Sequence, residues 1–253
     1  MLPHRITSIA RWALWNSPPL YRVYRRFRFG DFRNADSDSD YWVAGYPRSS
    51  NTFTAQCLSI AARDAKVAKH LHVPSMVIPA WRSGKPGIFV IREPRSAAIS
   101  WSIYHNQSLD WSLRYYIDFH RFLLPIQTEL FVAPFRQTTR RIDLVLVRFA
   151  ECFDLKLEPV ALNESFVSER FTEIEQYWQA PDKPVNERQV ARPSKVRSGM
   201  TAAYDSLIQK SRALQARLRD AEEVYGLFTK PNRFTEVGAV SRQSAGKTTQ
   251  LLA

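Results

Sequence analysis

Short apolar runs separated by helical patterns are the feature that most limits the fold of this chain. The runs at Tyr41–Gly45 and Gly87–Arg92 are nearly continuous in apolar residues, which is typical of strands buried on both faces of a parallel sheet. Val67–His72 and Ile142–Arg148 are similar in length and predict two further strands. Because helical patterns lie between the runs, the sequence predicts an α/β fold, a three-layer α/β/α domain with a central, mostly parallel sheet.

Three segments carry the helical patterns. Thr52–Ala65 places its apolar residues largely on one side, and Pro94 to about Asn106 begins with a proline suited to the first helical turn. Apolar residues between Tyr204 and Tyr225 fall on one stripe and predict a helix near the carboxyl terminus.

Positive charge is unevenly distributed along the chain, whose formal net charge is +12 over 253 residues. Residues 1–33 hold seven arginines and one aspartate, so half of the net charge lies there, among interleaved aromatic residues. Such a segment either packs across the domain as an arm or lies on an anionic membrane surface. We therefore divide the chain into a basic arm (1–34), a domain (35–228) and a polar tail (229–253).

Composition excludes several classes of protein. A hydrophobic content of 45% excludes a disordered chain, and two cysteines exclude both a disulfide scaffold and a four-cysteine zinc site. No apolar run reaches the ~18 residues that span a membrane. We expect a cytoplasmic protein, with peripheral membrane contact through residues 1–33 as the open alternative.

The segment GYPRSSNTF at residues 45–53 leaves a predicted strand and enters a predicted helix. This geometry directs main-chain N–H groups and the positive end of the helix at an anion, typically a phosphate. The segment is not a Walker A loop, because position 51 is Asn51 instead of lysine and the cation is Arg48. Taken alone, the segment is also compatible with a polar turn that only caps the helix.

A second candidate for phosphate binding follows the next strand. Arg92 lies at the predicted carboxyl end of that strand, the edge where open α/β sheets bind ligands. Ser100 follows eight residues later in a predicted helix, so the two side chains could hold one phosphate between them. The alternative is a structural arginine paired with Glu93 or with the carboxyl end of a helix.

With these segments in this order, the chain resembles the sulfotransferases that use 3′-phosphoadenosine-5′-phosphosulfate (PAPS). The first motif of that family, YPKSGTTW after a strand, aligns without gaps with YPRSSNTF at residues 46–53. The second motif begins with Arg and has Pro two residues on and Ser eight residues on, as Arg92, Pro94 and Ser100 do.

Two further motifs extend the resemblance to residues 45–204. The family often has KTHLP before its second motif, and HLHVP here places His72 on the catalytic histidine. The family also has RKGxxGDW near its carboxyl terminus, and RSGMTAAY here keeps Arg197 and Gly199, with Tyr204 in the position of the tryptophan.

The resemblance implies a P-loop-like sulfotransferase fold and transfer of a sulfuryl group from PAPS to an acceptor hydroxyl or amine. His72 would be the general base, and Arg48 would stabilise charge on the leaving phosphate electrostatically, because a guanidinium does not act as an acid. No metal is required. The implied cofactor contacts are Arg48, Ser49, Ser50, Asn51 and Thr52 at the 5′-phosphate, Arg92, Ser100, Arg197, Ser198 and Gly199 at the 3′-phosphate, and Phe53 stacked on adenine.

Departures from the family pattern leave the acceptor open. Ser50 replaces a glycine and Ser198 replaces a lysine, and the stretch before His72 is short for the family. Carbohydrates, lipids and small phenols or alcohols all stay as acceptor classes, and the oligomeric state is open. His70 is a second candidate for the base, and His105 a candidate for acceptor binding. An aromatic group serves either as core or as acceptor contact: Trp81, Trp101, Tyr104, Trp111, Tyr115 and Tyr116.

Two other functions compete with sulfuryl transfer. The first is a P-loop kinase or a nucleotide-binding protein without catalysis, and the missing Walker lysine counts against the kinase. The second is a basic module that binds a membrane surface or nucleic acid. No recognisable nucleic-acid motif supports it, so we expect no nucleic-acid partner.

Overall fold

A parallel sheet of four strands forms the centre of the domain in the computed structural model, which describes residues 13, 17, 19–20, 23, 38–63, 65–178, 188, 195–232 and 234. The spatial order of the strands is β2-β1-β3-β4, and each neighbouring pair is parallel. Three of the four predicted strands are confirmed. The strands are β1 (Tyr41–Gly45), β2 (Val67–Leu71), β3 (Gly87–Ile91) and β4 (Phe131–Pro134).

Helices connect the strands and cover both faces of the sheet. A 3₁₀ turn at Leu124–Glu129 precedes β4. The α-helices within the described ranges are α1 (Asn51–Ala61), α2 (Pro74–Arg82), α3 (Pro94–His105), α4 (Leu109–Leu123), α5 (Phe135–Arg140), α6 (Ile142–Phe153), α7 (Glu164–Trp178), α8 (Lys195–Lys210) and α9 (Arg212–Phe228).

The prediction of a strand at Ile142–Arg148 is wrong, because this segment is the start of α6. Its buried residues follow helical spacing, as Val145 and Leu146 do on the inner side. Leu144 and Val147, which the apolar run also contains, are 51% and 54% exposed. β-branched residues made this stretch look like a strand, whereas the actual fourth strand, β4, is shorter and contains a proline.

The apolar stripe near the carboxyl terminus forms two helices instead of one. They are α8 and α9, and the break lies at Ser211, whose hydroxyl accepts a hydrogen bond from the main-chain N–H of Leu214. A serine at this position caps the first turn of α9 and so marks the start of a new helix.

Alternating residues of the strands point into two separate cores. Ala44 and Phe89 pack with residues of α2, α3, α4 and α9 on one face. Val43 and Val90 pack with α1, α6 and α7 on the other face. The strands are thus buried on both sides, which confirms the predicted three-layer α/β class.

The predicted arm at residues 1–34 and most of the predicted tail at residues 229–253 lie outside the described residues. Across the portion of the chain that is described, every helix is too short or too polar to span a bilayer.

Candidate functional site

The carboxyl ends of three neighbouring strands bring together the residues that the sequence analysis selected. The loop at residues 46–50 follows β1 and leads into α1, His72 follows β2, and Arg92 follows β3. Because β1 lies between β2 and β3, all three segments meet at one edge of the sheet. This edge is where open parallel sheets bind ligands.

The loop after β1 has a main-chain conformation suited to an anion. Arg48 and Ser50 both have φ of 64°, in the left-handed region, and Asn51 begins α1. The first N–H groups of a helix have no partner within the helix, and they carry its positive partial charge. Ser50 stands where the resembling family has glycine, which is the residue that adopts this conformation without strain.

Close packing also fixes the start of the loop. Gly45 is paired with Val90 across β1 and β3, and a Cβ added at Gly45 would lie 2.3 Å from the carbonyl oxygen of Val90. No side chain fits at this position. The close approach aligns the first residues of the loop with the end of β3.

Hydroxyl groups line the loop on the side of α5. The hydroxyl oxygens of Ser50 and Thr138 are 2.7 Å apart, and Thr54 lies 3.5 Å from Ser50. Ser49 is fully buried, and its hydroxyl has no hydrogen-bond partner among the described atoms. Thr52, the second residue of α1, is partly exposed.

Three guanidinium groups converge beside this loop. Arg48 Nε and Arg197 Nη2 lie 3.4 Å and 3.1 Å from the hydroxyl oxygen of Ser100, and both donate to it. Arg92 Nη1 donates to the carbonyl oxygen of Arg48 at 2.6 Å. Arg92 also lies over the ring of Phe135, 4.2 Å from its centroid. The three arginines named in the sequence analysis are therefore neighbours.

The local electrostatics favour an anion at this cluster. The pKa of Arg48 is lowered to about 10, first by burial and then by the charges of Arg197 and Arg92, while Tyr104 opposes the shift. Burial also lowers the pKa of Arg92 to about 10, where Glu93 opposes the shift and Arg197 adds to it. Guanidinium groups stay protonated at neutral pH, so their mutual repulsion is relieved by a bound phosphate.

His72 lies against the same loop. Its Nδ1 is 2.9 Å from the carbonyl oxygen of Gly45, and Tyr115 donates a hydrogen bond from its hydroxyl to the carbonyl oxygen of His72. Burial lowers the pKa of His72, and the hydrogen bond to Gly45 partly opposes that shift. The imidazole is therefore neutral near pH 7.

The side chain of Asn51 points into the protein instead of toward a ligand. Its amide nitrogen donates to the carbonyl oxygens of Tyr46 at 3.0 Å and Gly45 at 3.3 Å. The predicted contact between Asn51 and a phosphate therefore rests on its main-chain N–H, at the start of α1.

Phe53 and the residues after Arg197 lie at the margins of the site. Phe53 is 4% exposed and its ring stacks on Phe171 of α7, with centroids 5.6 Å apart. Its predicted stacking on adenine stays a prediction. Ser198 and Gly199 are exposed on α8, and no atom lies within 4 Å of a Cβ built at Gly199. From this segment, Arg197 donates a hydrogen bond to Ser100.

A cavity of about 620 Å³ opens beside the Phe53–Phe171 pair. It lies between α7 and α5, and α5 is the helix that carries Thr138. Its lining is mixed in polarity and comprises Thr139, Arg140, Leu162, Asn163, Glu164, Val167, Ser168 and Phe171.

The other two candidate histidines lie on either side of the site. The ring of His70 is 5.7 Å from that of His72. His105 is exposed at the end of α3, 4.0 Å from the ring of Trp101. Burial and then the charge of Arg48 lower the pKa of His105.

Most of the aromatic group is core. Tyr115 and Tyr116 are buried, and Trp81, Trp101 and Trp111 pack against the same core while staying partly exposed. Tyr104 is partly exposed, with the guanidinium of Arg48 at 5.1 Å from its ring centroid.

Three residues support the site in ways that the sequence analysis did not predict. Tyr116 donates a hydrogen bond to the carbonyl oxygen of Arg92 at 2.8 Å. Tyr46 is fully buried between Tyr115 and Tyr116, with ring centroids 5.1 Å and 5.0 Å away. Thr138 meets Ser50. These contacts depend on tertiary packing, and no local sequence signal announces them.

Comparisons with known proteins place few limits on this chain. No protein-family model matches the sequence, and no curated protein matches it. Among solved structures, mouse sulfotransferase SULT7A1 complexed with PAP is similar at 11% identity and a TM-score of 0.39. The match covers 73% of this chain and 90% of that chain. A likeness at this level carries no argument about function.

Within the described ranges, no group of three or more His, Cys, Asp or Glu side chains lies close enough together to hold a metal ion.

Proposed function

We propose that the chain is a PAPS-dependent sulfotransferase that transfers a sulfuryl group to an acceptor hydroxyl or amine. The observation that carries the proposal is the cluster in which Arg48 and Arg197 meet at Ser100 and Arg92 donates to the carbonyl oxygen of Arg48. The cluster lies beside the loop after β1, and His72 contacts Gly45 at the start of that loop. PAPS carries anionic groups at both its 3′ and 5′ positions. The site offers two adjacent centres for anions and one neutral base.

The first centre is the loop at residues 46–50 with the start of α1. The main-chain N–H groups of Asn51, Thr52 and Phe53 would bind the 5′-phosphate, helped by the hydroxyls of Ser49 and Ser50. The left-handed residues Arg48 and Ser50 shape the loop for this contact. The charge of Arg48 would stabilise the negative charge that collects on the leaving phosphate.

The second centre is the arginine cluster. Arg92 and Arg197, together with the hydroxyl of Ser100, would bind the 3′-phosphate, and planar guanidinium groups suit bidentate contacts with phosphate oxygens. Ser198 and Gly199 would lie at the outer margin of this centre. The adenine base would lie near Phe53 and Phe171, where the adjoining cavity of about 620 Å³ has room for a purine.

His72 would act on the acceptor. Its Nε2 would take the proton from the acceptor hydroxyl while the acceptor oxygen bonds to sulfur. The bond between sulfur and the bridging oxygen breaks, and its electron pair stays on the 5′-phosphate of 3′,5′-diphosphoadenosine. Arg48 would stabilise that developing charge while His72 removes the proton from the acceptor. The acceptor stays open among carbohydrates, lipids and small phenols or alcohols.

Calorimetry with 3′,5′-diphosphoadenosine tests the nucleotide half of the proposal. We expect micromolar or tighter binding by the wild type and at least tenfold weaker binding by Arg92→Ala and Arg197→Ala. Arg95→Ala is the matched control, because Arg95 lies on α3 next to the site but pairs with Asp205 on the surface. No binding by the folded wild type, or equal binding by all variants, contradicts the proposal.

Transfer of labelled sulfate from PAPS across a panel of acceptors tests the catalytic half. We expect transfer to at least one class of acceptor and a loss of at least a hundredfold in His72→Gln. Nucleotide binding without transfer to any acceptor would indicate a nucleotide-binding protein without catalysis. Magnesium-dependent turnover of ATP would favour the kinase.

A further inference from the structure

The hydrogen bond between His72 and Gly45 determines where the imidazole proton lies. A carbonyl oxygen only accepts hydrogen bonds, so Nδ1 of His72, 2.9 Å from that oxygen, carries the proton. A neutral imidazole has one proton, and Nε2 therefore presents a lone pair. This is the tautomer in which Nε2 can remove a proton from an acceptor.

Asn51 holds the same carbonyl from the other side. Its amide nitrogen is 3.3 Å from the Gly45 oxygen and 3.5 Å from Nδ1 of His72. Both nitrogens are donors, so they share the oxygen instead of bonding to each other, and a carbonyl oxygen has two lone pairs for this purpose. The second hydrogen bond of Asn51, to Tyr46, fixes the orientation of the amide.

Neighbouring groups leave this arrangement little freedom. Gly45 is confined between Val90 and Asn51, since an added Cβ would lie 2.3 Å and 2.7 Å from their oxygens. Tyr115 donates to the main-chain carbonyl of His72, which holds the other end of that residue. The ring of His72 and the loop at residues 46–50 therefore behave as one unit.

We infer that the carbonyl oxygen of Gly45 selects the Nδ1–H tautomer of His72, and that Asn51 is the positioning residue that holds this carbonyl. The inference deepens the proposed function and rests on the assigned role of His72 as the base. It connects the anion-binding loop to the orientation of the base, so a distortion of the loop also misdirects the imidazole.

The amide of Asn51 donates to two carbonyl oxygens at once, those of Gly45 and Tyr46. The resembling family has threonine at this position of its motif, and a threonine hydroxyl donates one hydrogen bond where the amide of Asn51 donates two. Asn51→Thr therefore releases at least one of the two carbonyls. Asn51→Asp replaces a donor with a carboxylate that is repelled by both carbonyls and attracted to a protonated His72.

The experiment is NMR spectroscopy of the full chain labelled with ¹⁵N-histidine, with His72→Gln to assign the signals. At pH 8 we expect the wild type to show a His72 ring protonated at Nδ1. We expect a mixture of tautomers in Asn51→Thr, and a His72 pKa about one unit higher in Asn51→Asp. Both variants keep His70, whose ring is 5.7 Å from that of His72, and Tyr115, which donates to the main-chain carbonyl of His72.

Ser59→Ala is the matched control. It lies on the same helix and loses a side-chain hydrogen bond to Ala65, away from the loop. We expect its His72 signals to match those of the wild type.

A wild-type His72 protonated at Nε2 overturns the tautomer assignment. If folded Asn51→Thr shows the same His72 ring signals as the wild type, the role of Asn51 is overturned. Asn51→Thr alone tests that role in the case where Asn51→Asp does not fold. The spectra need neither nucleotide nor acceptor, so they separate this inference from the proposed function. Nδ1 protonation without binding of diphosphoadenosine leaves the inference standing and removes the function.

Discussion

Tyr116 donates a hydrogen bond from the middle of α4 to the carbonyl oxygen of Arg92, at 2.8 Å. Arg92 is the first residue after β3, and its side chain belongs to the arginine cluster. The preceding residue of α4, Tyr115, makes the equivalent contact with His72 after β2. Two consecutive tyrosines on one helix thus hold the main chain of two proposed site residues on different strands.

We expect Tyr116→Phe to lower the free energy of unfolding by about 1–3 kcal/mol, because it leaves a buried carbonyl oxygen without its donor. The same change should weaken binding of diphosphoadenosine several-fold through Arg92. Urea denaturation and calorimetry measure the two effects. Tyr225→Phe, on the neighbouring α9, is the control and should change stability by less than about 0.5 kcal/mol. Equal stability of the two variants would contradict the contact.

We expect Ser100→Ala to weaken diphosphoadenosine binding by about tenfold, because hydrogen bonds to charged groups contribute about 1.5–3 kcal/mol. The hydroxyl of Ser100 orients Arg48 and Arg197 together. Binding of adenosine 5′-phosphate, which lacks the 3′-phosphate, should change much less. Calorimetry with both nucleotides gives the comparison, and an equal loss for both would place Ser100 away from the 3′-phosphate.

The rate of sulfate transfer should rise with pH and reach a plateau, since the base must be unprotonated. Burial lowers the pKa of His72, so the midpoint of kcat/KM should lie below about 6.5. The profile is measured from pH 4.5 to 8 with saturating PAPS and with an acceptor kept well below its KM, so that the rate reports kcat/KM. His70→Gln should keep this midpoint. If the midpoint lies above pH 7 and shifts in His70→Gln, then His70 is the base and His72 is not.

Acid should destabilise the fold through His120. Burial lowers the pKa of this histidine to about 3, while its Nδ1 lies 2.7 Å from the carbonyl oxygen of Tyr116. The unfolded state binds a proton below about 6.5 and the folded state does not, so this contribution to stability is present above pH 6.5. It is lost as the pH falls from 6.5 toward 3.

Urea unfolding at several pH values measures that loss. Between pH 6.5 and 3, His120 should contribute a slope of up to about 1.4 kcal/mol per pH unit to the free energy of unfolding. His72 contributes in the same direction, so His120→Phe should reduce the slope without abolishing it. His105→Gln, at an exposed position, should have a smaller effect than His120→Phe. An unchanged slope in a folded His120→Phe variant would show that His120 is accessible to protons in the native state.

Three strands and the loop after β1 were predictable because their signals are local. An apolar run such as Gly87–Ile91 is buried on both faces, and its composition shows that directly. The positions of Arg92 just after β3 and of Ser100 within α3 were predictable for a related reason, since a strand end and a helix start need no tertiary information.

Helix α6 was not predictable from β-branched content. Val145 and Val147 lie in the same apolar run, yet one is buried and the other is exposed. Packing against α1 and β4 overrides the intrinsic preference of such residues for strands. The inward side chain of Asn51 was equally hidden, because its acceptors become available only when the loop folds back on itself.

Ser50 has a consequence for the rate at which an anion is captured. Its hydroxyl lies 2.7 Å from that of Thr138, a contact that glycine cannot make, and this contact anchors the loop to α5. The loop is therefore preorganised before any ligand arrives, and little ordering entropy is lost on binding. The association rate is then limited by diffusion toward the arginine cluster and not by closure of the loop. Because salt screens the positive charges of the cluster, we expect this rate to fall as ionic strength rises.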